Sequence, residues 1–145
     1  MTSRNLSGCG PVRHIGGVIR EALIVEDDPD SLRLVGACLR RLGFRIHEVK
    51  SNREALLWLD RAMPDLVCLD LRLPDGSGLK VCQRIRSSVR LRDVPVLVIS
   101  ALTAPSDFHS AEEVGVDEYL VKPFRTAALA ESVRELVGRS EVTPS

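Results

Sequence analysis

Five times along this chain a short apolar run gives way to a segment with apolar residues at helical spacing. The runs are ALIV (22–25), FRIHEV (44–49), LVCLDL (66–71), VPVLVIS (94–100) and EYLV (118–121). Short, nearly continuous apolar runs suit strands buried on both faces, as in parallel sheets covered by helices on each side. The alternation therefore predicts a doubly wound α/β domain with five parallel strands and five helices. FRIHEV alternates rather than running apolar, which marks it as an edge strand with one face partly exposed.

The punctuation between runs agrees. Pro29 fits the first position of a helix, where its missing N–H costs nothing, and Asp28 before it reads most simply as the N-cap. Leu32, Val35, Leu39 and Leu42 recur on one face, and Gly43 stops that helix. Ser51 and Glu54 make a capping-box pattern opening a second helix with Ala55, Leu59 and Ala62 on one side, closed by Pro64. PDGSG (74–78) is turn chemistry ahead of a helix carrying Leu79, Cys82 and Ile85. Pro105 starts a fourth helix that runs to about Val114 before Gly115, and a fifth from Phe124 to Val137 buries Leu129, Val133 and Leu136. Residues 1–20, with Gly8, Gly10, Pro11, Gly16 and Gly17 and no periodicity, are expected to be a flexible extension. The domain is expected to span 21–138, leaving 139–145 as a tail.

Composition removes several classes of function. The 20 basic and 20 acidic residues cancel, so nothing argues for direct nucleic-acid binding or for attachment to a charged membrane surface. No apolar run approaches the ~20 residues of a membrane-spanning helix, which excludes insertion of that kind. Cys9, Cys38, Cys68 and Cys82 lack metal-binding spacing, and three of them lie in apolar segments. They read as free, buried thiols, which points to a reducing cytoplasm.

Doubly wound sheets bind ligands beyond the carboxyl ends of their strands. There the chain places Glu26, Asp27 and Asp28 after strand one, Asp70 at the end of strand three, Ser100 at the end of strand four and Lys122 after strand five. Each has a bland reading: Asp70 as a turn-starting aspartate, Ser100 as a cap, Lys122 as a solvated surface lysine. Together they are harder to dismiss. Like charges crowded on one rim raise one another's pKa or require a cation. Carboxylate oxygens without His or Cys suit Mg²⁺, which binds one or two carboxylates and keeps several waters. A dication, an ammonium and a hydroxyl around one carboxylate make a site for a phosphoryl group, and the carboxylate can itself be the acceptor, forming an acyl phosphate.

LIVEDDPDS (23–31), PDLVCLDLRLPDGSG (64–78), VPVLVISA (94–101) and GVDEYLVKPF (115–124) together resemble the successive signatures of the response-regulator receiver domain of two-component signalling. The resemblance implies a CheY-like, flavodoxin-like (βα)5 fold with strand order 2-1-3-4-5. It implies that Asp70 takes the phosphoryl group from the phosphohistidine of a sensor histidine kinase or His phosphotransfer protein. Asp27 and Asp70 would ligate Mg²⁺ together with the Arg72 backbone carbonyl, Glu26 acting through a water. Ser100 and Lys122 would hold the phosphoryl oxygens, and the Lys122–Pro123 bond would be cis. Movement of Ser100 would let Tyr119 turn inward, signalling through the face of the fourth helix, fifth strand and fifth helix; the plain alternative for Tyr119 is a half-buried strand aromatic. Arg72 and Leu102 stand two positions beyond Asp70 and Ser100, where a long and an apolar side chain would shield the acyl phosphate and lengthen its life.

Few residues follow the fifth predicted helix, so the expectation is a stand-alone receiver, not a turnover enzyme. It would act on a downstream protein target, as a relay intermediate or through a phosphorylation-dependent dimer, with no direct contact to nucleic acid. The closing VTPS is also readable as a truncated linker. The competing class is a receiver-like interaction module that is never phosphorylated. An aspartyl-phosphate phosphatase would want DxD after its first strand, where this chain has EDD, and a P-loop kinase would need GxxxxGK, which is missing.

Overall fold

The computed structural model describes residues 19–141. The reading of residues 1–20 as a flexible extension, and that of Cys9 as a buried thiol, therefore fall almost wholly outside the described residues. The chain runs β1 (Glu21–Val25), α1 (Pro29–Arg41), β2 (Arg45–Val49), α2 (Asn52–Leu59), β3 (Leu66–Leu69), β4 (Arg72–Leu73) and β5 (Gly76–Ser77). It continues through α3 (Leu79–Arg86), β6 (Val96–Ser100), α4 (Pro105–Val114), β7 (Glu118–Val121) and α5 (Thr126–Glu141). Five strands form one sheet in the order β2-β1-β3-β6-β7, every pair parallel. Setting aside the small β4–β5 hairpin, this is the expected order 2-1-3-4-5, with β2 at one edge.

Side chains of a strand point alternately to its two faces, so one apolar run feeds two cores. Ala22, Ile24, Leu66, Cys68, Leu97 and Ile99 face α1 and α5, meeting Val35, Leu39, Leu129 and Val133. Leu23, Val25, Val67, Leu69, Val96 and Val98 face the opposite way, against Ala55 and Leu59 of α2 and Val81, Cys82 and Ile85 of α3. Truncating a fully buried leucine in either layer, such as Leu39 or Leu23, would cost about 2–5 kcal/mol through lost burial and the cavity left behind. Cys38, Cys68 and Cys82 are buried free thiols, as their apolar context suggested.

Local chemistry sets the element ends. The Asp28 carboxylate accepts from Ser31 N at 2.9 Å, the expected N-cap of α1. Ser51 Oγ accepts from Glu54 N at 3.1 Å, while Glu54 reaches back to Lys50 N at 2.9 Å, one residue earlier than in the usual capping box. Four elements differ from the sequence reading by more than one residue at a boundary. β3 stops at Leu69 because Asp70 N makes the last bond of the ladder, to Val25 O, and the chain then turns into the hairpin. β6 starts at Val96 because Pro95 has no N–H to donate and Val94 N is spent on Leu91 O in a turn. α2 ends at Leu59, short of Ala62, and the Arg90 guanidinium takes up the Leu59 and Ala62 carbonyls. α5 begins at Thr126, after the turn at the cis Lys122–Pro123 bond, and runs to Glu141, into the stretch read as a tail.

Candidate functional site

Parallel strands that start on one side of a sheet all end on the other, and here four ends deliver chemistry to one rim. Glu26 follows β1, Asp70 follows β3, Ser100 closes β6 and Lys122 follows β7. Backbone bonds fix their heights: Glu26 N to Val49 O at 3.0 Å, Asp70 N to Val25 O at 3.0 Å, and Lys122 N to Ser100 O at 2.9 Å. The cis bond at Lys122–Pro123 is the one the sequence reading placed there.

Lys122 Nζ lies 2.7 Å from Glu26 Oε1 and 2.8 Å from Asp70 Oδ2, so one ammonium bridges two buried carboxylates. Burial pushes the Glu26 carboxyl above its usual range, against the lowering effect of Lys122 and of the Asp28 amide on Glu26 Oε2. Burial alone would pull the Lys122 ammonium down; its hydrogen bonds to Asp70 and Glu26 outweigh that and raise it, so Lys122 stays charged. The second oxygen of Asp70, Oδ1, accepts from Arg72 N at 3.0 Å. That bond points the Arg72 N–H at Asp70, while the Arg72 side chain stands in solvent.

Ser100 is fully buried, and its Oγ accepts from Leu102 N at 3.3 Å. The Tyr119 hydroxyl donates to the carbonyl of the same residue at 2.7 Å, and the Tyr119 ring packs on Phe108 of α4 with centroids 4.5 Å apart. Tyr119 is half-buried, and its phenol is pushed up mainly by that burial. Glu26, Asp70 and Lys122 are thus in direct contact, with Ser100 and Tyr119 joined to one another through Leu102. Asp27 is exposed on the turn beside Glu26.

Among the described residues, no three His, Cys, Asp or Glu side chains stand close enough to hold a metal by themselves. The oxygen set on the rim suits a smaller demand. Asp27, Asp70 and the Arg72 carbonyl, with water toward Glu26, would offer the few hard ligands that Mg²⁺ takes while keeping much of its hydration. All-oxygen donors and a net negative rim fit that ion and not a thiolate- or imidazole-seeking one.

Two residues that sequence reasoning passed over shape this rim. Gly78 precedes α3 where an added Cβ would lie 2.0 Å from the Asp70 carbonyl oxygen, so only glycine fits. Asp75 reaches across from the β4–β5 hairpin to the first turn of α2, accepting from Asn52 N and Arg53 N at 2.9 Å each. Both sit in PDGSG, whose turn chemistry was legible while its partners, distant in sequence, were not.

A buried aspartate after the central strand, bridged by lysine to a second acid on the rim of a doubly wound sheet, is the arrangement the sequence motifs led us to expect. The chain belongs to the response regulator receiver domain family, whose model matches residues 22–134. It is 35% identical over 122 residues to the DNA-binding dual master transcriptional regulator RpaA of Synechocystis, covering 84% of this chain and 51% of that protein. It is 34% identical over 123 residues to the DNA-binding response regulator MtrA of Mycolicibacterium smegmatis, covering 85% of this chain and 53% of that one. The chain thus spans about half the length of the curated relatives it matches.

Among solved structures, the receiver domain of a signal transduction histidine kinase from Syntrophus aciditrophicus matches with a TM-score of 0.79 at 31% identity, over 87% of this chain and 96% of that one. The receiver domain of a sensor histidine kinase from Pseudomonas aeruginosa, with magnesium coordinated in its active site cleft, matches with a TM-score of 0.76 at 30% identity, over 83% and 99%. Divalent metal binding is therefore a property found in this family. The expectation that nucleic acid plays no direct part is unsupported, because relatives are named as DNA-binding regulators. Among the described residues no helix is long and apolar enough to cross a membrane.

Proposed function

We propose that this chain accepts a phosphoryl group on Asp70 from a phosphohistidine donor, a sensor histidine kinase or His phosphotransfer protein, in a Mg²⁺-dependent reaction. The observation that carries the reading is the Lys122 ammonium bridging Asp70 and Glu26 at 2.8 and 2.7 Å. An Asp70 oxygen attacks phosphorus, the bond from phosphorus to the donor nitrogen breaks, and its electron pair leaves with the imidazole, giving an acyl phosphate. Lys122 stays charged and meets the incoming negative charge as a compact cation, which explains a lysine in a chain otherwise dominated by arginine. Mg²⁺, held by Asp27, Asp70 and the Arg72 carbonyl with Glu26 behind a water, would neutralise the phosphoryl oxygens and orient the donor.

The output reading follows from the Leu102 relay. A phosphoryl oxygen that draws on the Ser100 hydroxyl disturbs the residue to which the Tyr119 hydroxyl is bonded, and so the face of α4, β7 and α5. That face would engage a downstream protein, a second phosphorylated copy or a relay partner in the cytoplasm, with the chain modifying itself rather than turning over a substrate. Incubation with Mg²⁺ and acetyl phosphate followed by intact-mass measurement tests the reading. Wild type should gain one phosphoryl group and Asp70→Asn should not; no gain in wild type would leave a receiver-like interaction module that is never phosphorylated.

A further inference from the structure

The stretch from Asp70 to Gly78 is a hairpin fastened at two points. At its base Gly78 N donates to Leu71 O at 2.9 Å, and the missing Cβ lets the two backbones touch. At its tip the Asp75 carboxylate crosses to α2, where Oδ1 accepts from Asn52 N at 2.9 Å and Asn52 Nδ2 at 3.2 Å, and Oδ2 from Arg53 N at 2.9 Å. The first-turn amides of a helix have no partner within it, so they are strong, fixed donors. Ser51 already serves Glu54 N at 3.1 Å, so the first turn of α2 has its own cap, and Asp75 adds a link to a segment more than twenty residues away. Accepting these amides holds the Asp75 carboxyl below its usual range, so it stays ionised at neutral pH.

Arg72 lies between the two fastenings. It pairs across the hairpin with Ser77, and its N–H donates to Asp70 Oδ1 at 3.0 Å. A two-residue ladder is too short to hold a peptide plane rigidly by itself. We propose that Asp75 is a positioning residue for the phosphoacceptor site: by clamping the hairpin tip to α2 it fixes the backbone at Arg72, whose N–H bonds to Asp70 and whose carbonyl would serve the metal. The proposal rests on the metal-dependent reading above. It gives Asp75 a role in metal affinity although its carboxylate touches neither Asp70 nor Lys122.

The competing explanation is that Asp75 is merely an extra helix cap, and Ser51 supplies the control. Asp75→Ala and Ser51→Ala each remove a cap from the first turn of α2, but only the first frees the hairpin tip. The test measures Mg²⁺ affinity by titration calorimetry, Tm, and hydrogen exchange at the Arg72 amide in wild type and both variants. Both variants should lower Tm. Asp75→Ala alone should weaken Mg²⁺ binding, by about tenfold as for residues that orient metal ligands, and alone should speed exchange at the Arg72 amide. Asp75→Asn, which keeps one acceptor oxygen, should fall between wild type and Asp75→Ala. Mg²⁺ binding that is measurable and equally tight in all proteins, or equal weakening in Asp75→Ala and Ser51→Ala, would overturn the proposal. Wild type that binds no Mg²⁺ while Arg72 exchange quickens only in Asp75→Ala would defeat the metal reading and uphold the clamp.

Discussion

The Tyr119 hydroxyl donates to the Leu102 carbonyl at 2.7 Å, while the Leu102 amide donates to Ser100 Oγ at 3.3 Å. One loop residue thus has its two polar groups held by the two residues of the expected switch. Tyr119→Phe keeps the ring against Phe108 and deletes one half-buried hydrogen bond, so stability should fall by about 1 kcal/mol. Phosphorylation of Asp70 should proceed as in wild type, but hydrogen exchange in α4 should lose its response to phosphorylation. An undiminished response would mean that Tyr119 is only a strand aromatic.

Lys122 neutralises two buried acids, and removing it strands both. Lys122→Met without metal should destabilise the fold by roughly 3 kcal/mol, because two carboxylates remain buried without their cation. Urea titration measures the loss, and saturating Mg²⁺ should recover part of it. The Lys122 ammonium is raised above its ordinary 10.5, so its contribution is complete below that value and disappears as pH rises through the folded-state value. Wild type without metal should therefore lose stability in alkali along a limb that Lys122→Met lacks.

Asp28 titrates in the opposite direction. Its carboxyl is lowered from 3.8 by the Ser31 amide, so its stabilisation is present above 3.8 and lost as pH falls through the folded-state value. Asp28→Ser keeps a capping oxygen and should preserve Tm near neutrality while flattening this part of the acid limb. Mg²⁺ affinity should hardly change, because Asp28 is committed to the helix.

Gly78→Ala tests the close approach at the hairpin base. The added Cβ would meet the Asp70 carbonyl at 2.0 Å, so backbone must move, at about 1–3 kcal/mol for overpacking. Because the displaced carbonyl belongs to Asp70, the proposed acceptor, the rate of phosphorylation by acetyl phosphate should fall well beyond the loss of folded protein.

Arg72 and Leu102 line the same surface cavity, of about 490 Å³, together with Asp107 and Ser110. If they shield the acyl phosphate, Arg72→Ala and Leu102→Ala should each shorten its half-life, followed by intact mass after removal of donor. Loss of the phosphoryl group within seconds from wild type would refute shielding.

The sheet and its two helical layers were legible because burial on both faces forces apolar runs, and nothing but a covered parallel sheet uses five of them in alternation with helices. Asp70, Ser100 and Lys122 were legible for a related reason: the parallel topology sends them to one rim, whatever their separation. Asp75 and Gly78 were not. A turn motif announces its own backbone, but the α2 amides and the Asp70 carbonyl that give these two residues their roles come from tertiary packing. The end of β3 at Leu69 was missed similarly, since Leu71 is buried and apolar like a strand residue but packs as part of a turn.

The bridge at Lys122 joins residues 96 and 52 positions apart in the chain. An unfolded chain holds such groups far apart, so the site exists only in the native ensemble. The proposed binding of Mg²⁺ would then draw molecules out of the unfolded pool by mass action, raising the melting point with each increment of free metal. The proposed phosphorylation would likewise become a census of folded molecules, and a core substitution far from the rim should lower it in proportion to the native population it removes.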